Sequence, residues 1–144
     1  MPKKSAATAP PPNSVKLSPQ QRRDLDIEIG FLEGVIRRDP QYLEALQVLG
    51  DDYTQRGRFD DGLKVDQRLT QIRPDDPMAH YNLACSYSLT AQCERAAAVL
   101  DVAIELGYRD FKHMRRDPDL KNLRQHPLYR KIRARVREIL LRVE

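Results

Sequence analysis

The sequence predicts an all-α fold built from stacked pairs of antiparallel helices. Two observations predict it: a pattern of large and small apolar residues recurs after 34 residues, and within each copy the apolar residues follow helical spacing. Alternating apolar and polar residues, the pattern typical of strands, are hard to find. The length of 144 residues suits a single domain, which we place at residues 18–144.

The recurring pattern is clearest at the start of each copy. The two matching blocks are Leu46-x-x-Leu49-Gly50-x-x-Tyr53 and His80-x-x-Leu83-Ala84-x-x-Tyr87. Pro40 and Pro74 show the same separation. Each block places a large residue beside a small one, so that a following helix can approach closely at the small residue. Gly57 supplies the turn between the helices of the first copy, because glycine adopts positive φ without strain.

This pattern resembles the tetratricopeptide repeat, with full copies at residues 43–76 and 77–110. The resemblance implies a short right-handed superhelical solenoid of helix pairs. We expect first helices at about 42–56 and 77–90, each followed by a second helix. The second helices are expected at about 59–72 and 93–106.

Further helices flank the two copies. Ser18-Pro19 begins an N-terminal helix at 18–38, because serine caps a helix and proline suits its first position. One side of this helix has no partner, so Ile27 should be exposed, and we expect weak homodimer formation through Leu25, Phe31 and their neighbours. Residues 111–144 are expected to form a capping region. Its Asp117–Tyr129 string is similar to the ending of many bacterial proteins with this repeat.

The first 17 residues contain three lysines, four prolines and no acidic residue, which predicts a disordered tail. This tail is interpreted as solubilising, with a Pro-rich ligand role as the alternative. No apolar stretch typical of a signal peptide or a membrane span is present. Cys85 and Cys93 are expected to be free thiols in a reducing, cytoplasmic setting, with a disulfide or a metal pair as alternatives.

Charge divides the chain into an acidic body and a basic end. Residues 18–108 carry 16 acidic and ten basic side chains, whereas residues 109–144 carry 12 basic and five acidic ones. The predicted basic face of the last helix has Arg130, Arg133 and Arg137 at its centre, accompanied by Lys131, Arg135 and Arg142. A solvated surface is one interpretation of this face. Nucleic-acid binding is the alternative function for the chain, and contact with anionic lipid is a further alternative.

No arrangement of residues typical of catalysis is visible, so we predict no enzymatic activity, no metal and no cofactor. The histidines lie in unrelated contexts, and Asp117 is interpreted as a helix cap. His80 is expected to pack in the core. Asp66 occupies a position that is usually apolar in the family, so it should pair with an arginine or lie at an edge.

The resemblance implies that the first helices line a concave groove that binds a protein or peptide. The family's groove positions correspond to Glu44, Gln47, Val48, Asp51, Thr54, Met78, Tyr81, Asn82, Cys85 and Leu89. Tyr81 would anchor the partner and Asn82 would bond its backbone; alternatively, both residues have structural roles. Glu44 and Asp51 indicate a basic or neutral partner segment. The carboxylate clamp of one subfamily does not fit, because Gln47 and Asp51, or Tyr81 and Cys85, occupy its positions.

Overall fold

The computed structural model describes residues 16–142, and within this range it contains helices and no strand. The predicted tail therefore lies outside the described residues except for its last two. Eight α-helices and one 3₁₀ helix follow one another in this range. They are α1 (Pro19–Arg38), α2 (Leu43–Arg56), α3 (Phe59–Ile72), α4 (Pro77–Leu89), α5 (Cys93–Glu105), α6 (Phe111–Arg116), a 3₁₀ helix (Pro118–Leu120), α7 (Lys121–Arg124) and α8 (Tyr129–Arg142).

The first five helices begin and end within about one residue of the predicted bounds, and local capping explains several of these ends. Ser18 and Gln21 form a reciprocal capping box at the start of α1, with bonds of 3.1 and 2.8 Å between side chain and backbone. Asp76 caps α4 by accepting a hydrogen bond from the backbone nitrogen of Met78 at 2.9 Å. The sequence signals at these ends therefore act as predicted.

Consecutive helices pack in neighbouring pairs from α1 to α5, and the 3₁₀ helix, α7 and α8 then pack against α4 and α5. Two apolar clusters result. The smaller one joins α1, α2 and α3 around Ile29, Leu46 and Leu69. The larger one extends from Tyr81 on α4 to Val136 on α8 and includes Ala84, which is fully buried as the large-and-small pattern predicts. No helix of residues 16–142 is both long enough and apolar enough to cross a bilayer.

The turns after α2 and α4 adopt the same left-handed backbone. Gly57 has φ +82°, and Ala91, which occupies the equivalent position 34 residues later, has φ +61°. In the second turn, the nitrogen of Gln92 donates to the carbonyl of Tyr87 at 2.8 Å, which closes the end of α4. Alanine therefore adopts a conformation at this turn that glycine adopts without steric cost.

We predict that Ala91→Gly stabilises the fold by about 1 kcal/mol, because it removes the steric cost of a left-handed alanine. Thermal denaturation followed by circular dichroism should show a melting temperature that is higher by on the order of 4 °C. The matched change Gly57→Ala should lower it by a similar amount. An unchanged melting temperature in both variants would show that neither turn is strained by a side chain.

The outer side of α1 carries two large apolar side chains in solvent. Ile27 is 72% exposed, as predicted, and Phe31 is 70% exposed, whereas Leu25 is half-buried. A self-association surface on this helix would thus centre on Ile27 and Phe31, and not on Leu25.

Weak homodimer formation through this surface stays a prediction. Light scattering at high protein concentration and low salt should show a mass above that of the monomer, and Phe31→Asp should return it to the monomer. Val102→Asp serves as a matched control, because Val102 is an exposed apolar residue on α5. A strictly monomeric wild-type chain would contradict the prediction.

Candidate functional site

A cavity of about 340 Å³ opens between α2, α4 and the segment that runs from α6 to the 3₁₀ helix. Seven of the ten predicted groove residues line it, which locates the candidate site. These seven are Asp51, Thr54, Met78, Tyr81, Asn82, Cys85 and Leu89. The other three, Glu44, Gln47 and Val48, are exposed on α2 outside the lining of this cavity.

Tyr81 is part of the packed interior and not an exposed anchor, so the anchor prediction is wrong. Only 2% of its surface is exposed. Its ring stacks on Tyr108 with a centroid separation of 4.3 Å, and its hydroxyl donates a hydrogen bond to Asp117 Oδ2 at 2.6 Å. The alternative expectation, that Tyr81 packs on a neighbouring element, describes the structure. Tyr81 therefore holds the floor of the cavity in place.

Asp117 is the buried carboxylate around which this floor is arranged. Its Oδ2 accepts the bond from Tyr81 and lies 3.1 Å from His113 Nε2 and 3.7 Å from Cys85 Sγ. Its Oδ1 accepts a hydrogen bond from the backbone nitrogen of Asp119 at 3.0 Å, which confirms the predicted role as a helix cap. Both carboxylate oxygens are thus used within the protein.

Asp66 lies beside the same cavity, and the predicted arginine partner is wrong. It is 8% exposed, and Ser86 Oγ donates a hydrogen bond of 2.5 Å to its Oδ2. Burial raises the pKa of Asp66 to about 6, although the bond from Ser86 opposes this rise. A serine on α4 therefore satisfies the carboxylate, and the charge itself stays uncompensated.

The remaining carboxylates give the cavity a strongly acidic lining. Asp51 is exposed at its rim, and partial burial raises its pKa. Burial also raises the pKa of Asp119 to about 6; the neighbouring Asp117 adds to the rise and His113 opposes it. Together with Asp66 and Asp117 these are four acidic side chains, and no lysine or arginine of residues 16–142 lines the cavity. This arrangement attracts cations.

Cys85, Asp117 and Asp119 each place a potential metal-binding atom within 4.8 Å of the others. Burial raises the pKa of the Cys85 thiol well above its ordinary value, and the nearby Asp117 adds to the rise. A metal ion would have to remove that proton and displace the bond from Tyr81 to Asp117. The donor set is better described as a hydrogen-bonded cluster. Within the described range, Cys85 and Cys93 are free thiols, as predicted.

Two further histidines have local structural roles. His80 is half-buried, with Nε2 2.8 Å from the carbonyl oxygen of Pro74, so the prediction of a core histidine is only partly right. His126 Nδ1 accepts a hydrogen bond from the backbone nitrogen of Leu128 at 3.1 Å, just before α8 begins.

The predicted basic face of α8 is divided in the structure. Arg135 pairs with Asp101 and Glu105 on α5, and Arg142 lies 3.6 Å from Glu138. Arg130, Arg133 and Arg137 are exposed, and the guanidinium of Arg133 lies 5.7 Å from the centroid of the Tyr129 ring. Two of the six predicted cations are thus already neutralised by the chain itself.

Sequence reasoning missed the contribution of His113 and Asp119 to the candidate site. Both follow the second copy of the repeat, where the 34-residue period ends and no longer aligns residues with the groove. The only local signal was the Asp117-Pro118-Asp119 string, which predicts a helix start and says nothing of which helix it contacts. The 3₁₀ helix packs against α4, and the ring of His113 lies 6.0 Å from that of Tyr81 on α4, which makes these residues part of the cavity.

No protein-family model matches the chain. The chain is similar to a protein of Arabidopsis thaliana that is described as chloroplastic, with 32% identity over 92 residues. The aligned part covers 62% of this chain and 26% of that relative, so the chain spans about a quarter of the relative's length.

We predict that Asp66 makes stability depend on pH. Because its pKa in the folded state, about 6, is above its ordinary value of 3.8, the stability gained from protonation is present below pH 3.8 and lost as the pH rises through 6. Asp66→Asn removes this titration. Urea denaturation measures the free energy of unfolding of both proteins. The variant's value minus that of wild type should be larger by about 1 kcal/mol at pH 7.5 than at pH 5. An equal difference at both pH values would contradict the raised pKa.

Proposed function

We propose that this protein is a non-catalytic adaptor that binds a basic segment of a partner protein in the acidic cavity. The observation that carries the proposal is the cavity itself, which collects four carboxylates and, among residues 16–142, no lysine or arginine in its lining. Such a site favours a lysine or arginine side chain, because the opposite charge offsets the cost of the partly buried carboxylates.

The side chains at the entrance complement this preference. Asn82 is exposed and offers an amide donor and acceptor to the partner backbone. Met78, which is 49% exposed, and Leu89 supply apolar contacts on the same helix. A partner segment with one cation and a neighbouring apolar residue would use both features. The small cavity predicts modest affinity unless the partner contacts more of the surface.

We further propose that the helix pairs α2–α3 and α4–α5 are tetratricopeptide repeats in a short right-handed solenoid. The 34-residue spacing supports this assignment, and so does the matching left-handed turn at Gly57 and Ala91. The contacts of α3 with α4 continue the packing from one pair to the next. α1 would then precede the repeats, and the region after α5 would cap them.

Two observations favour binding over catalysis at this site. The Cys85 thiol is 7% exposed and faces the carboxylate of Asp117, so its proton is retained and the sulfur is not an activated nucleophile. Asp117 is used by hydrogen bonds on both of its oxygens. The free thiols are in keeping with a reducing compartment such as the cytoplasm, which we propose as the location.

Nucleic-acid binding through the basic helix is the weaker alternative. Arg135 and Arg142 pair with carboxylates, so fewer cations remain available for phosphates. The acidic cavity and the acidic repeat region would also repel a long polyanion.

An array of lysine- and arginine-containing peptides, with glutamate-substituted versions as controls, tests the proposed function. We expect the basic peptides to bind and the glutamate versions not to bind. For a selected peptide, Asp51→Lys combined with Asn82→Ala should weaken binding at least tenfold, about 1.4 kcal/mol, because it removes an acidic rim and a backbone contact. Fluorescence anisotropy measures the affinity.

Two control variants define the site. Asp60→Lys reverses an exposed acidic residue at the start of α3, away from the cavity lining, and should leave affinity nearly unchanged. Arg133→Glu with Arg137→Glu should also leave it intact. If that change on α8 abolished binding while the cavity variant retained it, the assignment of the site would be wrong. Circular dichroism confirms that each variant is folded.

A further inference from the structure

A second groove, of about 380 Å³, lies between α6 and the outer side of α8. It differs from the acidic cavity because its lining combines apolar and cationic side chains and, in the part of the chain that the structure describes, contains no acidic residue. The residues that line it are Met114, Arg115, Tyr129, Arg133, Val136, Arg137, Leu140 and Leu141. We refer to it below as the α8 groove.

The apolar part of the α8 groove is incompletely covered. Met114 and Val136 form buried floor positions, whereas Leu140 is 49% exposed and Leu141 is 63% exposed. The core cluster includes Tyr129, Ile132 and Val136 of α8, but neither Leu140 nor Leu141 belongs to it. The two leucines therefore do not serve the interior packing, and their burial by a ligand would be favourable.

Tyr129 lines the same groove and has an unsatisfied hydroxyl. The residue is 3% exposed, and its hydroxyl oxygen has no hydrogen-bond partner among the described residues. Buried hydroxyls are normally paired, so this one lacks an acceptor that a ligand could provide. The guanidinium of Arg133 lies 5.7 Å from the centroid of the same ring, so a carboxylate that binds Arg133 would lie beside Tyr129.

The cations of the groove have no carboxylate partner among the described residues. Within residues 16–142, no carboxylate lies within ion-pair distance of Arg115, Arg133 or Arg137. Arg135, on the same helix as Arg133 and Arg137, is paired with Asp101 and Glu105. The chain therefore neutralises one side of α8 and leaves the groove side positive. An acceptor for the Tyr129 hydroxyl that is also anionic would satisfy both features.

We propose that the α8 groove binds an amphipathic α-helix of a partner protein, with an apolar stripe beside an acidic edge. Tyr129, Arg133, Val136 and Leu140 follow one another at three- and four-residue spacing, so the groove runs along α8 and suits an elongated ligand. Arg133 and Arg137 lie one helical turn apart, which matches carboxylates one turn apart on a ligand helix.

The concave shape of the groove favours a helical ligand over a lipid surface. A flat bilayer would contact the exposed leucines at the end of α8, but it would leave the floor at Met114 and Tyr129 unfilled. A convex helix fills the floor with its apolar side chains and places its acidic edge beside the arginines. This second site is independent of the acidic cavity, because none of its residues lines that cavity.

A pair of labelled, covalently stapled helical peptides tests the proposal with the full chain. The first peptide carries a leucine stripe and two glutamates one turn apart, and the second replaces the glutamates with lysines. We expect the glutamate peptide to bind, as measured by fluorescence anisotropy, and the lysine peptide to bind at least tenfold more weakly. Equal affinity for the two peptides, or no binding of the glutamate peptide, overturns the proposal.

Protein variants then locate the binding. Arg133→Glu with Arg137→Glu should reverse the preference, so that the lysine peptide binds better than the glutamate peptide. Arg130→Glu with Lys131→Glu is the matched control, because it makes the same charge change on α8 outside the groove lining. Tyr129→Phe should weaken the glutamate peptide without lowering the melting temperature, since the hydroxyl has no partner to lose.

Two further outcomes would show that the α8 groove binds a different ligand and not a partner helix. Sedimentation with phosphatidylglycerol vesicles that depends on Arg133 and Arg137, without peptide binding, would identify a membrane surface and overturn the proposal. A homodimer that dissociates in the Arg133→Glu, Arg137→Glu variant would identify a second copy of the chain as the occupant, with the same consequence.

Discussion

The hydrogen bond from Tyr81 to Asp117 is the interaction on which the candidate site depends. It joins residues 36 positions apart, and so ties α4 to the segment that follows α6. The stacking of Tyr81 on Tyr108 fixes the ring from the other side. Loss of the Tyr81 hydroxyl would leave a buried carboxylate with less compensation, which costs about 1–3 kcal/mol. This bond therefore helps to fix the cavity wall, together with the contacts of Asp117 with His113, Cys85 and the backbone of Asp119.

In the same region, the proposed binding of a basic segment and the stability of the fold make opposite demands on the buried carboxylates. Asp66 and Asp117 are both buried. Asp66 accepts its hydrogen bond from the uncharged hydroxyl of Ser86, whereas Asp117 contacts His113 besides the hydroxyl of Tyr81 and the backbone of Asp119. Hydrogen bonds keep the carboxylates ordered, but burial, with the neighbouring Asp117 as a smaller cause, raises the pKa of Asp119. Pairing them with arginines would stabilise the fold and remove the negative field that a basic ligand requires.

Sequence periodicity could predict the helices because each copy repeats the same packing problem after 34 residues. The resemblance to the tetratricopeptide repeat, carried over position by position, also placed seven of the cavity residues on α2 and α4. The sequence could not predict that Tyr81 is buried. Tyr108 and Asp117, which cover it, lie 27 and 36 residues further along the chain and contact it only in the folded structure. The sequence also could not predict how exposed Phe31 is. Helical spacing places Phe31 at the edge of the apolar stripe of α1, and only the packing of α1 against α2 decides which edge faces solvent.

The arginines of the chain explain how an acidic cavity persists in a protein of positive net charge. Arg68 donates to the carbonyl of Pro40, Arg109 to that of Ile104, and Arg124 to that of Met114. These cations stabilise carbonyl groups at chain turns and helix ends, where the backbone lacks intrahelical donors. Because they are held there, they do not reach the carboxylates around Asp117. These three cations thus bind backbone carbonyls and not the carboxylates of the cavity, whose lining among residues 16–142 contains no lysine or arginine.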